Sequence, residues 1–415
     1  MRVLVITSSF PRFSGDSSGA FILNLCKGLQ KLGLDIEVLA PHDYGCKRHE
    51  MWGGIQVSRF PYFYPLRFQR LCYGAGILKN MKESPLAFAQ LPFFVLFEMA
   101  YAFWIARRKK VDLVHSHWSI PQGLTGLFLR KLFGVPFVIS LHGSDVHGLD
   151  FPLLRALNKK VILDSDACTA NSRATAARAQ RISGRSDIRI IPMGVDIDFF
   201  AQSVGRGSNR NHKGRKDKII LYAGRLIDVK GIEYLVKAFP EVLEKQANAK
   251  LLVVGSGPCK GDLVSLSERL HLHDKVVFQD TVSQEELVRY YAMADVFVLP
   301  SVTTKEGETE GLGVVLLEAM ACGVPVIGSA VGGITDIIKD QETGLLVRQK
   351  DPGDLAEKIN RVLTDEELSR RLGKRGYDFA KERFSWSFIA GECLQIFRSV
   401  LEKRAMPVGV NGSRS

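Results

Sequence analysis

The stretch Glu310–Val326 reads EGLGVVLLEAMACGVPV: a glutamate, two closely spaced glycines, an apolar helix and a proline that opens the next apolar run, PVIG. Glycines ahead of an apolar segment permit a tight turn and a close backbone approach. The free N–H groups of a helix start attract anions. Two carboxylates beside such a start, Glu310 and Glu318, either cap the helix or hold the groups that flank an anion. Working outward from this stretch, short apolar runs keep alternating with longer amphipathic segments. Before it come KIILYAG, the segment 231–246, KLLVVG, VVFQ and ADVFVLP. Nearer the N-terminus come VLVIT with 18–32, IEVLA, VDLVH with 122–133, FVIS, and ACTA with 172–182. This alternation predicts parallel sheets wrapped by helices.

A chain of 415 residues exceeds one ordinary core. The reading is therefore α/β with two Rossmann-like domains, over 1–191 and 219–383. A hinge and basic linker over 192–218 joins them, and a closing helix over about 384–403 precedes a disordered tail over 404–415. Seven cysteines without a CxxC pair indicate neither a disulfide framework nor a cysteine metal site. The opening MRVLVITSSFPRF is a buried first strand rather than a signal peptide, so a cytoplasmic protein is expected. The net charge of +12 favours anionic partners. Six of the basic residues fall in 201–218 against one Asp, the composition of a solvated loop. No zinc-finger spacing or RNA-binding aromatic signature accompanies them, so no nucleic-acid partner is expected.

Ligands of open parallel sheets bind beyond the carboxyl ends of the strands. There KIILYAG ends in Gly224-Arg225, and Lys230 stands just before the following helix. Arginine grips phosphate oxygens bidentately and lysine adds a compact charge, so the pair can neutralise a diphosphate without a metal. Gly311, Leu312, Gly313 and Val314 bring a backbone turn and helix start to the same diphosphate. Glu318 is then placed for ribose hydroxyls and Glu310 for the transferred group. The segments GSGPCKG (255–261), DSD (164–166) and DID (196–198) imitate a dinucleotide fingerprint and metal-binding DxD motifs, but their positions make them incidental.

With these residues in place, the chain resembles the retaining GT-B glycosyltransferases of family 4. The resemblance runs through Glu310 and Glu318, GRLIDVKGIEYLVKAF, VVGSGP, ADVFVLPS, PVIGSAVGGITDII and TGLLV, and FSWSFIAGECLQIF is similar to the family's closing helix, which packs back toward the N-terminal domain. A longer basic loop and the charge-rich VTTKEGETEG are departures. The resemblance implies two domains facing a cleft, a nucleotide-sugar donor used as substrate, no metal or cofactor, and retention at the anomeric carbon. It implies that Gly15 and Gly19, in the loop after the first strand, approach the donor, and that His117 lies near the transferred sugar. His142 and Asp145 would line the acceptor side. A UDP-sugar is the first candidate donor, with GDP open, and a glycan or lipid-linked molecule is the acceptor, as in polysaccharide or glycolipid biosynthesis.

Rival readings are a sugar-nucleotide epimerase, a noncatalytic sugar-nucleotide binder, and a metallohydrolase using His115, His117, His142, Asp145 and His147. The segment Leu91–Lys110, with Arg67, Arg70, Lys79 and Lys82 upstream, is too interrupted by Pro92 and Glu98 to span a bilayer. It is either a core helix or a helix in peripheral contact with an anionic membrane.

Overall fold

Each apolar run named above is a strand in the computed structural model of the chain, which describes residues 1–74, 76–147, 151–204 and 217–405. The chain forms two units. The first comprises residues up to Asn171, Thr175–Ile191 and the chain from Trp386 on; the second comprises Ser172–Ala174 and Pro192–Ser385.

In the first unit the strands are β1 (Arg2–Ile6), β2 (Asp35–Pro41), β3 (His49–Trp52), β4 (Ile55–Phe60), β5 (Leu113–His117), β6 (Phe137–Leu141), β7 (Ala167–Ala170) and β8 (Ile188–Ile190). They lie in the order β3-β4-β2-β1-β5-β6-β7-β8, parallel except for the antiparallel pair β3 and β4. The second unit holds β9 (Lys218–Ala223), β10 (Ala249–Val254), β11 (Val276–Gln279), β12 (Val296–Leu299), β13 (Val326–Ser329) and β14 (Leu345–Val347). Its order is β11-β10-β9-β12-β13-β14, all parallel. Both orders reverse beside their first strand, between β1 and β5 and between β9 and β12. Crevices form at such switch points, beyond the carboxyl ends of the strands.

The helices follow the sequence periodicity. In Ile232–Lys245 the buried residues Ile232, Leu235, Val236, Phe239 and Val242 recur at helical spacing and form one face against the sheet. Each such side chain, fully buried, contributes about 1.5–3 kcal/mol. Ser283 and Glu286 form a capping box that starts Gln284–Met293.

Three features depart from the sequence reading. The hairpin β3–β4 escaped it, although Gly53 and Gly54, at φ 58° and 92°, supply the positive φ values that a two-residue hairpin turn requires. The expected hinge over 192–218 contains the helix Ile197–Val204, with Ile197 and Phe200 buried in the second unit's core. That apolar pair is anchored, so the segment is part of a domain rather than a linker, while the basic residues over 205–216 lie outside the described residues. The last helix runs over Trp386–Ala405, beyond the expected end at 403, and 406–415 also lie outside the described residues. This helix packs on Ala20–Lys31 of the first unit, where a Cβ at Gly28 would stand 2.8 Å from the Cβ of Ala390.

Candidate functional site

In the second unit the switch point collects the charged residues that the strand ends predicted. The loop after β9 and the loop after β12 are tied by a backbone hydrogen bond from Val302 N–H to the Val229 carbonyl, 2.9 Å. That bond brings Lys230 toward the loop carrying Glu310, eighty residues further along the chain. Lys230 Nζ donates to Glu310 Oε2 at 2.6 Å, and Ser301 Oγ donates to the same oxygen at 3.0 Å. Both charged side chains are mostly buried, so loss of either partner strands the other charge. Arg225 is exposed, and its carbonyl accepts the Tyr222 hydroxyl at 2.9 Å, which fixes the loop beneath it.

Gly313, at φ 87°, begins the helix Val314–Ala321 with neither a side-chain cap nor an acidic residue in the first turn. Glu310 is therefore no cap, and the first N–H groups of the helix have no side-chain acceptor. Leu312 is sealed in the hydrophobic core, which leaves only its backbone for a ligand, and Val314 is half-buried. The segment Gly332-Gly333 braces this turn: Gly333 N–H donates to the Glu310 carbonyl at 2.9 Å, and a Cβ at Gly332 would stand 2.1 Å from that carbonyl oxygen. One turn into the helix, Glu318 accepts the Tyr291 hydroxyl at 2.9 Å. Burial raises the Glu318 carboxyl to about 7, against the lowering effect of that hydrogen bond.

At the first unit's switch point the side chains gathered at the ends of β5 and β6 are histidines, while the glycine loop after β1 carries the ion pair Arg12–Asp16 at 2.7 Å. Gly19, at φ 70°, starts the helix Ala20–Lys31, again without a side-chain cap or an acidic first turn. Gly15 holds φ 88° in open space. Phe21, in the first turn, packs edge-on against His142 at 5.1 Å and His117 at 6.4 Å, and so joins the glycine loop to the ends of β5 and β6. His117 Nδ1 and His142 Nε2 are 3.0 Å apart and share one hydrogen bond. His115 bonds Ser140 through Nε2 at 2.8 Å. Burial lowers all three histidines, His115 and His142 to about 3 and His117 well below the usual range, so each ring is neutral. Nε2 of His117 and Nδ1 of His142 are buried without a hydrogen-bond partner.

Asp145 differs from the expectation that it lines the acceptor side. It is 3% exposed, and its carboxylate accepts the backbone N–H groups of Ser119, His142 and Gly143 at 3.2, 3.1 and 2.9 Å. It clasps the loops after β5 and β6; burial raises its carboxyl to about 6 despite these bonds. The zinc-ligand reading loses one of its candidates to the same geometry. Asp145 is committed to the backbone, and among the described residues no three of His, Cys, Asp or Glu are grouped to hold a metal ion. The side chain of His147 lies outside the described residues.

Sequence reasoning missed Ser301, Tyr291 and Glu98. Ser301 closes ADVFVLPS at a strand end, a position that could have drawn notice. Tyr291 carries no such signal. Glu98 is fully buried, accepts from Gln122 Nε2 at 3.0 Å and Thr125 Oγ1 at 2.7 Å, and is raised by burial to about 7.

Comparison with known proteins adds to this geometry. Residues 18–199 match the profile of Glycosyltransferase Family 4 and residues 206–379 that of Glycosyl transferases group 1. N-acetyl-alpha-D-glucosaminyl L-malate synthase of Bacillus anthracis is 31% identical over 302 residues, 72% of this chain and 77% of that protein. The GDP-mannose-dependent alpha-(1-6)-phosphatidylinositol monomannoside mannosyltransferase of Mycolicibacterium smegmatis is 33% identical over 280 residues, 66% of this chain and 73% of that one. Sucrose-phosphate synthase from Thermosynechococcus elongatus superposes with a TM-score of 0.76 at 27% identity, covering 97% of this chain and 100% of that chain. Anabaena HepE in complex with UDP superposes at 0.71 with 19% identity, over 96% and 100% of the two chains, a likeness of fold.

Proposed function

The chain belongs to the family 4 glycosyltransferases of GT-B fold, and from that membership we propose that it moves a sugar from a nucleoside-diphosphate donor to a glycan or lipid-linked acceptor with retention, without a metal. The observation that carries this reading is the Lys230–Glu310–Ser301 cluster beside the uncapped start of Val314–Ala321. In the reaction the bond from the anomeric carbon to the diphosphate oxygen breaks, and the acceptor hydroxyl bonds to the same face of that carbon. Its proton passes to the departing diphosphate. Negative charge grows on the leaving group, so Lys230, Arg225 and the helix N–H groups bind it more strongly as the bond lengthens. Lys230 then exchanges Glu310 for a diphosphate oxygen, which releases the Glu310 carboxylate to the hydroxyls of the transferred sugar. Glu318 takes the ribose hydroxyls. Gly15, Gly19, Gly224, Gly311 and Gly313 let backbone approach the donor.

His117 holds a hydroxyl of the transferred sugar through its unpartnered Nε2, and neutral His142 supports it. A neutral imidazole offers a hydrogen bond without adding charge to a sugar that becomes cationic. The donor base is uracil or guanine; a UDP-sugar is the first choice from the resemblance, and GDP-mannose is named for the mycobacterial relative. The reaction would proceed in the cytoplasm. The test incubates purified protein, stripped of metal by a chelator, with UDP- and GDP-sugars and a mixture of sugar and lipid-linked acceptors, and follows the anomeric proton by NMR. A retained glycoside is expected. An inverted product, free epimerised donor, or activity that needs an added metal would each refute part of the reading.

A further inference from the structure

The helix Pro85–Arg108 in the first unit is built inside out. It is 24 residues long and sufficiently apolar over an 18-residue window to cross a membrane by composition. Its buried residues nevertheless include Gln90 and Glu98, the strongly polar residues ahead of its last turn. Gln90 accepts Arg70 N–H at 2.9 Å and donates to the Phe68 carbonyl at 2.6 Å, while Glu98 is held by Gln122 and Thr125. These bonds fix the rotation of the helix. With the polar side turned inward, the outward side carries Phe88 and Leu96, both 62% exposed, with Phe93, Phe97 and Trp104 also exposed. From Pro85 to Trp104 no charged residue faces outward, since Glu98 is the one charge in that span. A water-facing helix normally presents the opposite pattern.

The apolar face continues onto its neighbours. Phe63 meets Phe93 at 6.2 Å, and Phe103 meets Phe133, itself exposed beside Leu132, at 5.5 Å. Around it the charge is basic. Arg107 and Arg108 end the helix, with Arg108 over the Trp104 ring at 4.2 Å, and exposed Arg67 and Lys82 lie on the segments packed at its other end. Exposed Glu83 is the one acidic residue on the short helix before it and pairs with Lys79.

We infer that the outward face of Pro85–Arg108 docks flat on an anionic lipid bilayer, its Phe, Leu and Trp side chains at the acyl boundary and its Arg and Lys on lipid phosphates. The charge pattern selects this occupant. A bilayer supplies an apolar layer bordered by negative headgroups, matching an apolar stripe bordered by cations. A span across the membrane does not fit, because Ala87, Phe94, Ala102 and Ile105 are buried in the domain core along the length of the helix. Docking would favour acceptors carried in the bilayer. That consequence rests on the sugar-transfer reading; the docking does not.

The test is co-sedimentation of the full chain with phosphatidylcholine vesicles and with vesicles containing phosphatidylglycerol, at low and high salt. Wild type should bind the anionic vesicles and lose affinity as salt rises, since screening acts over about 10 Å at 0.1 M. Arg107→Gln with Arg108→Gln should weaken binding on the order of twentyfold at low salt, from about fivefold for each basic residue near the surface. Phe93→Ser with Leu96→Ser should abolish it at both salts. These side chains are exposed, so nucleoside-diphosphate affinity and circular dichroism should not change, which separates failed docking from failed folding. Trp104 emission should shift to the blue on vesicles, and the shift should vanish in Trp104→Phe. Absence of vesicle binding, binding indifferent to the serine variant, or a dimer that the serine variant dissociates would overturn the proposal.

Discussion

The two switch points share one architecture and differ in the charge of the side chains at their strand ends. Each places an uncapped helix start, led by a glycine of positive φ, beside the end of the strand across the reversal. In the second unit the side chains gathered there are ionic, with Lys230 and Ser301 converging on one oxygen of Glu310 and Arg225 exposed beside them. In the first unit they are three neutral histidines at the strand ends, with the carboxylate of Asp145 turned into the backbone and that of Asp16 paired with Arg12. In both, the backbone N–H groups of the helix start lack a side-chain acceptor, and the neighbouring side chains set the local charge. In the proposed transfer, the ionic point holds the leaving diphosphate, and the histidines hold hydroxyls near the carbon that becomes positive.

Removing the cations from the ionic point should have the largest effect. Arg225→Ala with Lys230→Ala should lower transfer by about a thousandfold or more, because electrostatic groups aimed at a developing charge are each worth about 10²–10³ in rate. A loss below tenfold in steady-state kinetics would shift the chemistry away from this loop. Next, Asp145→Ala should destabilise the first unit by at least about 3 kcal/mol, since it leaves three buried N–H groups without an acceptor. A thermal midpoint equal to wild type would show that the carboxylate is not a clasp.

Smaller effects come from titration. His115 and His142, depressed to about 3, contribute stability that is present above the unfolded value near 6.5 and lost as pH falls toward 3. Fully buried His115 alone contributes up to about 1.4 kcal/mol per pH unit in that window. Replacing His115 by Gln should flatten the acid limb of a urea-denaturation series by that amount. Glu318 has the opposite sign: raised to about 7, it stays protonated through the range in which the unfolded carboxyl ionises. Its stability contribution is therefore full below about 4.5 and is lost as pH rises toward 7. If its carboxylate binds ribose, nucleotide affinity should rise by about tenfold from pH 6 to 8, following the ionised fraction. The rise should vanish in Glu318→Gln.

Much of this was legible in the sequence, for reasons that particular residues make plain. The apolar runs are short, most are rich in β-branched residues and several abut glycine or proline, so ten of the fourteen strands among the described residues could be read directly. Lys230 and Glu310, far apart in sequence, could both be singled out because strand ends converge in a parallel sheet, and the structure brings the two together. The hairpin at Gly53-Gly54 was overlooked because β3 is a short edge strand whose residues are half-buried or exposed, without a clear apolar alternation. Asp145 was assigned to a ligand because its neighbours His142 and Gly143 are at a strand end; sequence does not reveal that the chain folds back to offer it three N–H groups. Glu98 read as an interruption of an apolar run, whereas it is the inward face of its helix. Partners such as Tyr291 for Glu318 depend on packing between helices and leave no local mark.

The comparison of the two switch points stands on Lys230 being the diphosphate ligand that Glu310 holds in readiness. Isothermal titration of nucleoside diphosphates, UDP and GDP, into wild type, Lys230→Ala and Glu310→Gln tests this directly. Lys230→Ala should weaken binding by about tenfold or more, the cost of a lost charge-assisted hydrogen bond of about 1.5–3 kcal/mol. Glu310→Gln should leave binding equal or tighter, because it frees Lys230 from its 2.6 Å partner. Wild-type affinity in Lys230→Ala, or equal losses in both variants, would contradict the account.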